Sequence, residues 1–453
     1  MRLSEILLSI PKAPEGTSIL SHLRHAIADS PRLGGGSPSR LVVTRCDTNS
    51  YECELGIVDG SGPSDAIADI FDFVRRGSQR CDRFTAVLIV PTGAGAEIGG
   101  HAGDAGPVAK LLASACDRLV THPNVVNGSD INELPENALY VEGSILSRFL
   151  MGTAGLQPVR SNRVLVLLDA QESPTFTNAA INAVNAARAT YGLICPKIVL
   201  VDPPIGMRAE FNPSGRSSGV VTGAERLLSV LRAERGWYDA VALVSVIQVP
   251  ESFHRDYFDL AGAMVNPWGG VEALLTHAIS GILDLPTAHA PMFASEAIAH
   301  SYPGIVDPRM AAEAVSLTFM QSVLKGLQRA PRPVRPTSGR LAGDVLMVED
   351  VSCLVIPDGC LGLPTLAALE QGIAVIAVRE NKNLMQNDLA ELPWAPGQFH
   401  RAENYWEAAG LMTALKAGID PGSVRRPIPP VAVERRAFSE HALEVVPASW
   451  RGT

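Results

Sequence analysis

Residues 85–122 read TAVLIVPTGAGAEIGGHAGDAGPVAKLLASACDRLVTH, and this stretch decides the fold class. An apolar, β-branched run (85–90) is followed by a glycine-rich loop, then by an Ala- and Leu-rich segment, and then by a second apolar run (118–122). The order strand, helix, strand is typical of two parallel strands joined by a crossover helix. The stretch therefore predicts a parallel β-sheet.

The same alternation continues on both sides of this stretch. Helical periodicity is present at about 64–76, 177–192 and 364–371, and residues 268–327 read as mostly helical. Because strands buried on both faces read as unbroken apolar runs, we expect an α/β protein with doubly wound, Rossmann-like parallel sheets, in two lobes plus a helical segment. Ligands bind such sheets at the carboxyl ends of the strands, so site residues are sought there. The further apolar runs are LVVT (41–44), VLVLLDA (164–170), KIVLV (197–201), DAVALVSVIQV (239–249), SCLVIP (352–357) and AVIAV (374–378).

The chain has 453 residues, which is more than one hydrophobic core usually organises. A Pro- and Arg-rich run, RAPRPVRPTSGRLAG (329–343), is typical of a linker. The predicted division is an N-terminal α/β lobe with the glycine-rich loop (1–160), a second α/β lobe with the helical segment (161–328), this linker, a C-terminal α/β unit (344–420) and an extended tail (421–453).

Composition narrows the class of partner. The net charge of -9 disfavours nucleic acid, because phosphate binding needs a basic surface. Seven cysteines without a CxxC pair fit a reduced compartment. The apolar run at 1–16 has the length of about one helix, is interrupted by Glu5 and lacks a cleavage site, and no segment reaches about 20 uninterrupted apolar residues. We therefore expect a cytoplasmic homo-oligomer without membrane contact.

Six glycines lie between Gly93 and Gly106, and three of them give the spacing GxGxxxG. In the related dinucleotide fingerprint, the helix begins inside the motif and its N–H groups bind the pyrophosphate. Here the best helix start is Pro107, and the next strand ends in His122 rather than in an acidic residue for the ribose. A nucleotide cradle and an NAD cofactor are therefore disfavoured. A structural loop and a loop that encloses a substrate both stay open.

Two consecutive predicted strand ends each carry a histidine. The glycine-rich loop contains His101 and Asp104, and the next strand ends at His122. Because neighbouring parallel strands end in one crevice, we expect these three residues to act in acid–base catalysis. The alternative is that the polar residues here form turns through local hydrogen bonds. The substrate-binding candidates that follow are Asn124, Asn127 and Asp130.

Six of the ten histidines lie between residues 101 and 300. Imidazole and carboxylate groups suit transition metals, but no HxH or HExxH spacing is present. A divalent metal therefore stays open, and general acid–base roles are favoured. Pyridoxal phosphate is not expected, because neither Lys110 nor Lys197 follows a strand. The six histidines are His101, His122, His254, His277, His289 and His300.

The stretch PDGCLGLPTLAALEQGIAVIAV (357–378) places Cys360 between a strand end and a helix. A thiol near a helix N-terminus can have a lowered pKa and act as a nucleophile, so Cys360 is a catalytic candidate; a small buried residue in a turn is the alternative. Loop arginines can clamp a carboxylate or phosphate, although most are surface residues. These arginines are Arg160, Arg163, Arg216 and Arg309, and Arg160, Arg309, Asn266 and Asp358 complete the substrate-binding candidates.

The same stretch, through LAALEQGIAVIAV, resembles the donor-binding half of two-domain glycosyltransferases and epimerases. It departs from them because Leu363, Pro364 and Thr365 stand where an acidic residue is expected. It also loosely resembles the second cysteine region of aspartate/glutamate racemases, but Cys116 precedes its strand instead of following it.

Six longer segments carry a broader resemblance: GGHAGDAGPVAKLL, THPNVVNGSDINELPENALYVEG, GLQPVRSNRVLV, NAVNAARATYGL, MVNPWGGVEALLTHAIS and GIVDPRMAAEAVS. Over about residues 85–390, the chain resembles a family of uncharacterised bacterial and plant proteins known only as a domain of unknown function. The resemblance implies a shared fold and brings no established activity.

From the residues themselves we expect an enzyme that acts on a small, polar, anionic metabolite by acid–base or nucleophilic catalysis. An isomerase, a lyase or a hydrolase would fit. One alternative is group transfer from a nucleotide or nucleotide-sugar. The other is a non-catalytic ligand-binding or assembly factor.

Overall fold

The structure is a computed structural model that describes residues 1–60, 62, 65–101, 103–171, 173–260, 262–300, 304–336, 345–428 and 430–435. Within these ranges the chain forms twenty strands and thirteen α-helices. The strands are β1 (Arg2–Pro11), β2 (Ser37–Cys46), β3 (Ser50–Asp59), β4 (Thr85–Leu88), β5 (Arg118–Thr121), β6 (Asn127–Gly128), β7 (Ile131–Asn132), β8 (Ala138–Tyr140), β9 (Gly155–Gln157), β10 (Val164–Asp169), β11 (Ile198–Val201), β12 (Gly206–Phe211), β13 (Ser217–Thr222), β14 (Ala240–Gln248), β15 (Thr287–Met292), β16 (Arg332–Val334), β17 (Val351–Pro357), β18 (Leu361–Gly362), β19 (Ala374–Val378) and β20 (Phe399–Ala402). The helices are α1 (Ile19–Ala28), α2 (Gly106–Ser114), α3 (Pro123–Val126), α4 (Gly143–Leu150), α5 (Pro174–Tyr191), α6 (Ala224–Ala233), α7 (Glu251–Asp259), α8 (Gly269–Leu283), α9 (Glu296–His300), α10 (Ala311–Ala314), α11 (Met320–Gln328), α12 (Leu363–Gln371) and α13 (Tyr405–Lys416).

A six-stranded, entirely parallel sheet contains both strands of the 85–122 stretch. Its strands lie in the order β20-β19-β17-β4-β5-β8. Every residue of β4 and β17 is buried, as expected for central strands that are covered on both faces. The chain order of the strands reverses between β4 and β17.

A second, ten-stranded sheet is mixed. Its strands β11, β10, β14 and β15 are parallel neighbours, and β12 also runs parallel to β14. The rest, in the order β12-β13-β1-β3-β2-β18, is antiparallel. The apolar run at 1–16 therefore begins as strand β1 and not as a helix. Its residues Leu3, Leu8 and Ile10 are buried in the hydrophobic core.

The two sheets are interleaved along the chain. Strands β1, β2 and β3, from the predicted N-terminal lobe, pair within the mixed sheet that also contains β10–β15 of the predicted second lobe. Strands β17, β19 and β20, from the predicted C-terminal unit, complete the parallel sheet that β4, β5 and β8 of the N-terminal lobe begin. The lobe boundaries stay a prediction. The division between the two sheets does not coincide with them. Of the predicted linker, Arg332–Val334 form β16, which pairs with β9. Residues 337–343 of that linker lie outside the described residues, as do 429 and 436–453 of the predicted tail.

The structure confirms a mixed α/β protein with parallel sheets, and all eight predicted apolar runs form strands. The helix predicted at about 64–76 is wrong for residues 65–76, which contain no α-helix; Ser64 lies outside the described residues. Tertiary contacts hold this segment in a non-helical path, since Arg76 donates to the carbonyls of Val351, Gln371 and Gly372. The mostly helical region 268–327 also contains β15, which the sequence did not indicate.

Candidate functional site

A cavity of about 230 Å³ lies where elements of both sheets meet. From the parallel sheet, His122 follows β5 and Glu142 follows β8. From the mixed sheet, β15 contributes His289. This cavity, called the first cavity below, therefore brings together titratable groups that are far apart in sequence. Five of the six histidines that the sequence grouped together line it, namely His101, His122, His254, His277 and His289; the side chain of His300 lies outside the described residues.

Helix α8 forms one wall of the first cavity. Residues Gly269, Glu272, Ala273, Thr276 and His277 all line it. Residues three and four apart lie on one face of a helix, so this spacing presents a single stripe to the cavity. Helix α8 also packs against β13 and α4.

Glu142 and His277 form a carboxylate–imidazole contact in the wall of this cavity. One oxygen of Glu142, Oε2, accepts hydrogen bonds from the backbone N–H groups of Ser144 and Ile145 at 2.9 and 3.1 Å and so caps α4. The other, Oε1, is buried, has no hydrogen-bond partner in the described part of the chain, and lies 3.4 Å from Nε2 of His277. Burial lowers the pKa of His277 although Glu142 opposes this, so the ring is neutral at pH 7. A Cβ at Gly143 would lie 2.6 Å from Nε2, so glycine is required here.

His122 is held in a defined orientation beside this pair. Its Nε2 accepts a hydrogen bond from the backbone N–H of Val90 at 3.1 Å, which assigns the proton of the neutral ring to Nδ1. Burial and the nearby His277 lower the pKa of His122 to about 4. His122 is therefore a neutral hydrogen-bond donor at physiological pH.

His289 lies between a carboxylate and a hydroxyl. Its Nδ1 is 3.0 Å from Oε1 of Glu272, and its Nε2 is 2.7 Å from Oγ of Ser245. The order carboxylate, imidazole, hydroxyl is that of a serine hydrolase triad. However, Ser245 is buried and is not among the residues that line the cavity, so its hydroxyl orients His289 and does not face a ligand.

A third polar chain joins His101 to a buried tyrosine. The hydroxyl of Tyr257 lies 3.0 Å from Nδ1 of His101 and donates to Oε1 of Glu313 at 3.3 Å. Burial raises the pKa of Glu313 to about 8, and the nearby Glu272 adds to this. Burial lowers the pKa of His101, and Arg309 adds to this effect. His101, from the glycine-rich loop, and Glu313, from α10, line the first cavity, and Tyr257 of α7 connects them without lining it.

The glycine-rich loop packs against protein backbone. The N–H of Ser217 donates to the carbonyl of Gly93 at 3.0 Å. At Gly103, φ is +64° and a Cβ would lie 2.0 Å from the carbonyl oxygen of Asn127. Helix α2 begins only at Gly106, and no side chain caps it. The geometry therefore favours a structural loop that also lines the cavity through Thr92, Gly93, Gly100 and His101 over a phosphate cradle.

Five of the eleven site residues that the sequence proposed line the first cavity. Asn124 also holds the glycine-rich loop, because its Nδ2 donates to the carbonyls of Val90 and Gly99 at 2.9 and 2.7 Å. Asn266 accepts hydrogen bonds from the first N–H groups at α8, so both asparagines have turn-forming roles as well. The five are His101, His122, Asn124, Asn127 and Asn266.

Five other proposed residues do not line this cavity: Asp104, Asp130, Arg160, Arg309 and Asp358. Arg160 is exposed, and the other four make local contacts. Asp104 accepts from the N–H of Gly99, and Asp130 accepts from Thr318 and Gln321 at the start of α11. Arg309 pairs with Asp307 and Glu97, and Asp358 pairs with Arg401. The site role proposed for these five residues stays a prediction.

A second cavity of about 130 Å³ adjoins the first. Its lining is mainly apolar and includes Cys360, the last proposed catalytic residue. The thiol is 2% exposed, and burial raises its pKa instead of lowering it. A buried, protonated thiol is a poor nucleophile. Both cavities are lined by Thr92, His122, Gly143, Ala273 and His277.

The second cavity also contacts two buried arginines. Arg216 is 1% exposed and is held by Glu5 and Glu54. Arg40 is 8% exposed, donates from Nη2 to the carbonyl of Thr92 at 3.1 Å, and lies 3.9 Å from Glu5. Nη1 of each arginine lacks a hydrogen-bond partner among the residues that the structure describes. Burial and Arg216 lower the pKa of Arg40 to about 10, so it stays charged at neutral pH.

Sequence reasoning missed Glu142, Tyr257 and Arg40. Glu142 follows a three-residue strand, too short to give a periodic pattern, although a search after every strand would have reached it. Arg40 stands inside the apolar strand β2, and a charge in such a run is itself an indication of a special role. For Tyr257, nothing local in the sequence indicates a contact with His101.

Two features are absent from the described residues. No three His, Cys, Asp or Glu side chains there are arranged to hold a metal ion. No helix within those residues combines the length and apolarity that crossing a bilayer requires.

Comparison with known proteins shows the family of the chain. The model of the family "Protein of unknown function (DUF3326)" matches residues 85–425. A protein of Synechococcus sp. that is named "Uncharacterized lipoprotein" is 36% identical over 349 residues, which covers 75% of this chain and 93% of that protein. No solved structure matches. The chain belongs to the DUF3326 family, which confirms the resemblance that its sequence motifs indicated.

Proposed function

We propose that this member of the DUF3326 family is an enzyme that acts on a small, polar, anionic metabolite by acid–base catalysis. The observation that carries the proposal is the buried Oε1 of Glu142, which has no hydrogen-bond partner among the described residues and lies 3.4 Å from Nε2 of His277. A buried acceptor of this kind costs free energy unless a ligand satisfies it. A buried polar atom without a partner is therefore a candidate for contact with a bound ligand.

The topology supports the same location. The order of the six-stranded sheet is that of a doubly wound, Rossmann-like fold, in which ligands bind where the strand order reverses. That reversal lies between β4 and β17. Thr92, which follows β4, lines both cavities, and Cys360, which follows β17, lines the second. We place the reaction at the junction of the two cavities.

The residues at this junction suit removal of a proton from a carbon next to a carbonyl group. In the proposed step, Glu142 takes the proton, and the C–H electron pair moves into the carbonyl to give an enolate oxygen. His122, neutral and protonated at Nδ1, donates a hydrogen bond to that oxygen. His277 orients Glu142 and assists return of the proton. Isomerases and lyases use such a step.

A nucleophilic route has less support. Cys360 is buried with a raised pKa, and the hydroxyl of Ser245 does not reach the lining of either cavity. The proposal therefore favours the acid–base half of the sequence-derived expectation over the nucleophilic half.

The test is hydrogen exchange into candidate substrates. The protein is incubated in D₂O with a panel of 2-oxo and 3-oxo carboxylic acids, and loss of the C–H signal next to the carbonyl is followed by proton NMR. We expect exchange with at least one acid, and a loss of about 10²–10⁴-fold in Glu142→Gln and in His277→Gln. Arg235→Gln, at an exposed position outside both cavities, is the matched control.

Two results would overturn the proposal. Exchange that survives in both variants would show that another site is responsible. Binding of an acid without exchange or turnover would support the alternative of a non-catalytic ligand-binding protein.

The proposal retains the cytoplasm as the location and a homo-oligomer as the assembly. All seven cysteines are free in the structure, which supports a reducing compartment. The word lipoprotein in the relative's name describes that relative.

A further inference from the structure

We infer that the second cavity holds the anionic end of the substrate, a carboxylate joined to an alkyl or aryl group, with Nη1 of Arg40 donating to the carboxylate. The identity of this group as part of the substrate rests on the proposed function and makes that function more specific. Binding of a carboxylate at Arg40 does not depend on the proposed function.

The first step is the charge of Arg40. A buried guanidinium is stable only if its donors are satisfied and its charge is balanced. Arg40 is 8% exposed, and its one hydrogen bond within the described part of the chain runs from Nη2 to the carbonyl of Thr92. The nearest carboxylate oxygen, Oε1 of Glu5, is 3.9 Å from Nη1, too far for a hydrogen bond. A ligand oxygen is the group that this environment lacks.

The other arginines of the cavity are already neutralised. Arg216 contacts both Glu5 and Glu54, and Arg148 pairs with Asp284. Arg40 is therefore the least neutralised of the three cations that line this cavity, and it is the one we assign to the ligand.

The second step is the shape and lining of the cavity. Most of its wall is apolar, with contributions from Leu41, Ile70, Ile89, Leu146 and Leu361. Its volume of about 130 Å³ is close to the ~150 Å³ of an apolar cavity that binds benzene. The site therefore fits a ring or a short alkyl chain that carries one carboxylate, and excludes a strongly hydrated sugar.

The third step is proximity to the proposed reaction centre. His122 and His277 line both cavities, and the charge of Arg40 acts on His277 directly. A carboxylate held at Arg40 would thus place the neighbouring carbon atoms at the junction, next to Glu142. An anion at one end and a C–H acid at the other is the pattern of an oxo acid.

The experiment compares two probes of nearly the same shape: benzoate, which is negatively charged, and benzamide, which is neutral. The full chain is labelled with ¹³C-methyl methionine, because Met385 lines only the second cavity and Met292 lines only the first. The two methyl signals are assigned with Met385→Leu and Met292→Leu. We expect benzoate to shift the Met385 signal at millimolar concentration and benzamide to shift it at least about tenfold more weakly.

A variant series tests the residue. Arg40→Gln should weaken benzoate binding about tenfold or more, Arg40→Lys should weaken it less, and Arg235→Gln, at an exposed position outside both cavities, should leave it unchanged. Equal binding of benzoate and benzamide to the wild-type protein would overturn the inference even if no Arg40 variant folds. So would a benzoate response confined to Met292.

The inference and the proposed function fail in different ways. Benzoate binding at Met385 without any hydrogen exchange would leave the anion site intact and refute catalysis. Exchange of oxo acids that is unaffected in Arg40→Gln, together with no benzoate response at Met385, would leave catalysis intact and refute the anion site.

Discussion

The two cavities share one wall but differ in the ionisable side chains that line the rest of each. The first is lined by five histidines together with Glu142, Glu272 and Glu313, whose protonation can change during a reaction. The second is lined by apolar side chains and by arginines, which stay charged at neutral pH. The first is therefore suited to moving protons, and the second to holding an anion. Changes on the two sides should have different consequences.

The largest expected effect is a loss of stability when the buried ion pairs beside the second cavity are broken. Arg216→Met leaves Glu5 and Glu54 without their partner, and removing one member of a buried pair typically costs about 3–5 kcal/mol. The free energy of unfolding, measured by urea titration, should fall by about that amount. Arg160→Met is the control at an exposed site. A loss below about 1 kcal/mol would show that this cluster is not as dry as its burial indicates.

An intermediate effect is expected at the first cavity, as a dependence of the free energy of unfolding on pH. The pKa of His122 is about 4 in the folded protein and near 6.5 when unfolded, so the unfolded chain binds more protons between these values. Stability should therefore rise with pH from about 4 to 6.5, with a slope from this group of up to about 1.4 kcal/mol per pH unit. His122→Asn should flatten this slope, and His25→Gln, at an exposed position, should not. The slope is obtained from urea titrations at several pH values.

The smallest effect is expected at Cys360. Because its thiol is buried and protonated, iodoacetamide should label the exposed Cys81 well before it labels Cys360, as followed by mass spectrometry. Cys360→Ala should keep any hydrogen-exchange activity within about twofold of the wild type. Labelling of both cysteines at equal rates would restore the nucleophile hypothesis and weaken the contrast between the cavities.

Much of the parallel architecture could be predicted from the sequence. Runs such as TAVLIV and SCLVIP are apolar throughout because both faces of β4 and β17 are buried, and this leaves a clear pattern. Among the antiparallel strands, β2 is predicted by the run LVVT, whereas β12 gives no apolar run because exposed Arg208 and Glu210 alternate with buried residues. The segment near Arg76 was mispredicted because contacts with residues 351–372 decide its path.

The candidate site was predicted in part for a similar reason. The rule that function follows strand ends located His122, and residue type alone grouped the histidines. Pairings such as Glu142 with His277 join the start of α4 to a distant helix, α8, so no local spacing could reveal them. Arg309 looked like an anion clamp, but Asp307 is only two residues away and neutralises it.

The position of β17 has a consequence for how the protein is made. Strand β4 pairs with β17, and the backbone N–H of Thr85 bonds to Ser352 across 267 residues of sequence. Contacts this distant are slow to form, and an unpaired parallel strand is prone to aggregation. During translation, β4 and β5 leave the ribosome long before β17 is synthesised. The junction of the two cavities can form only once most of the chain has emerged, so a truncated product would contain the histidines but not the site.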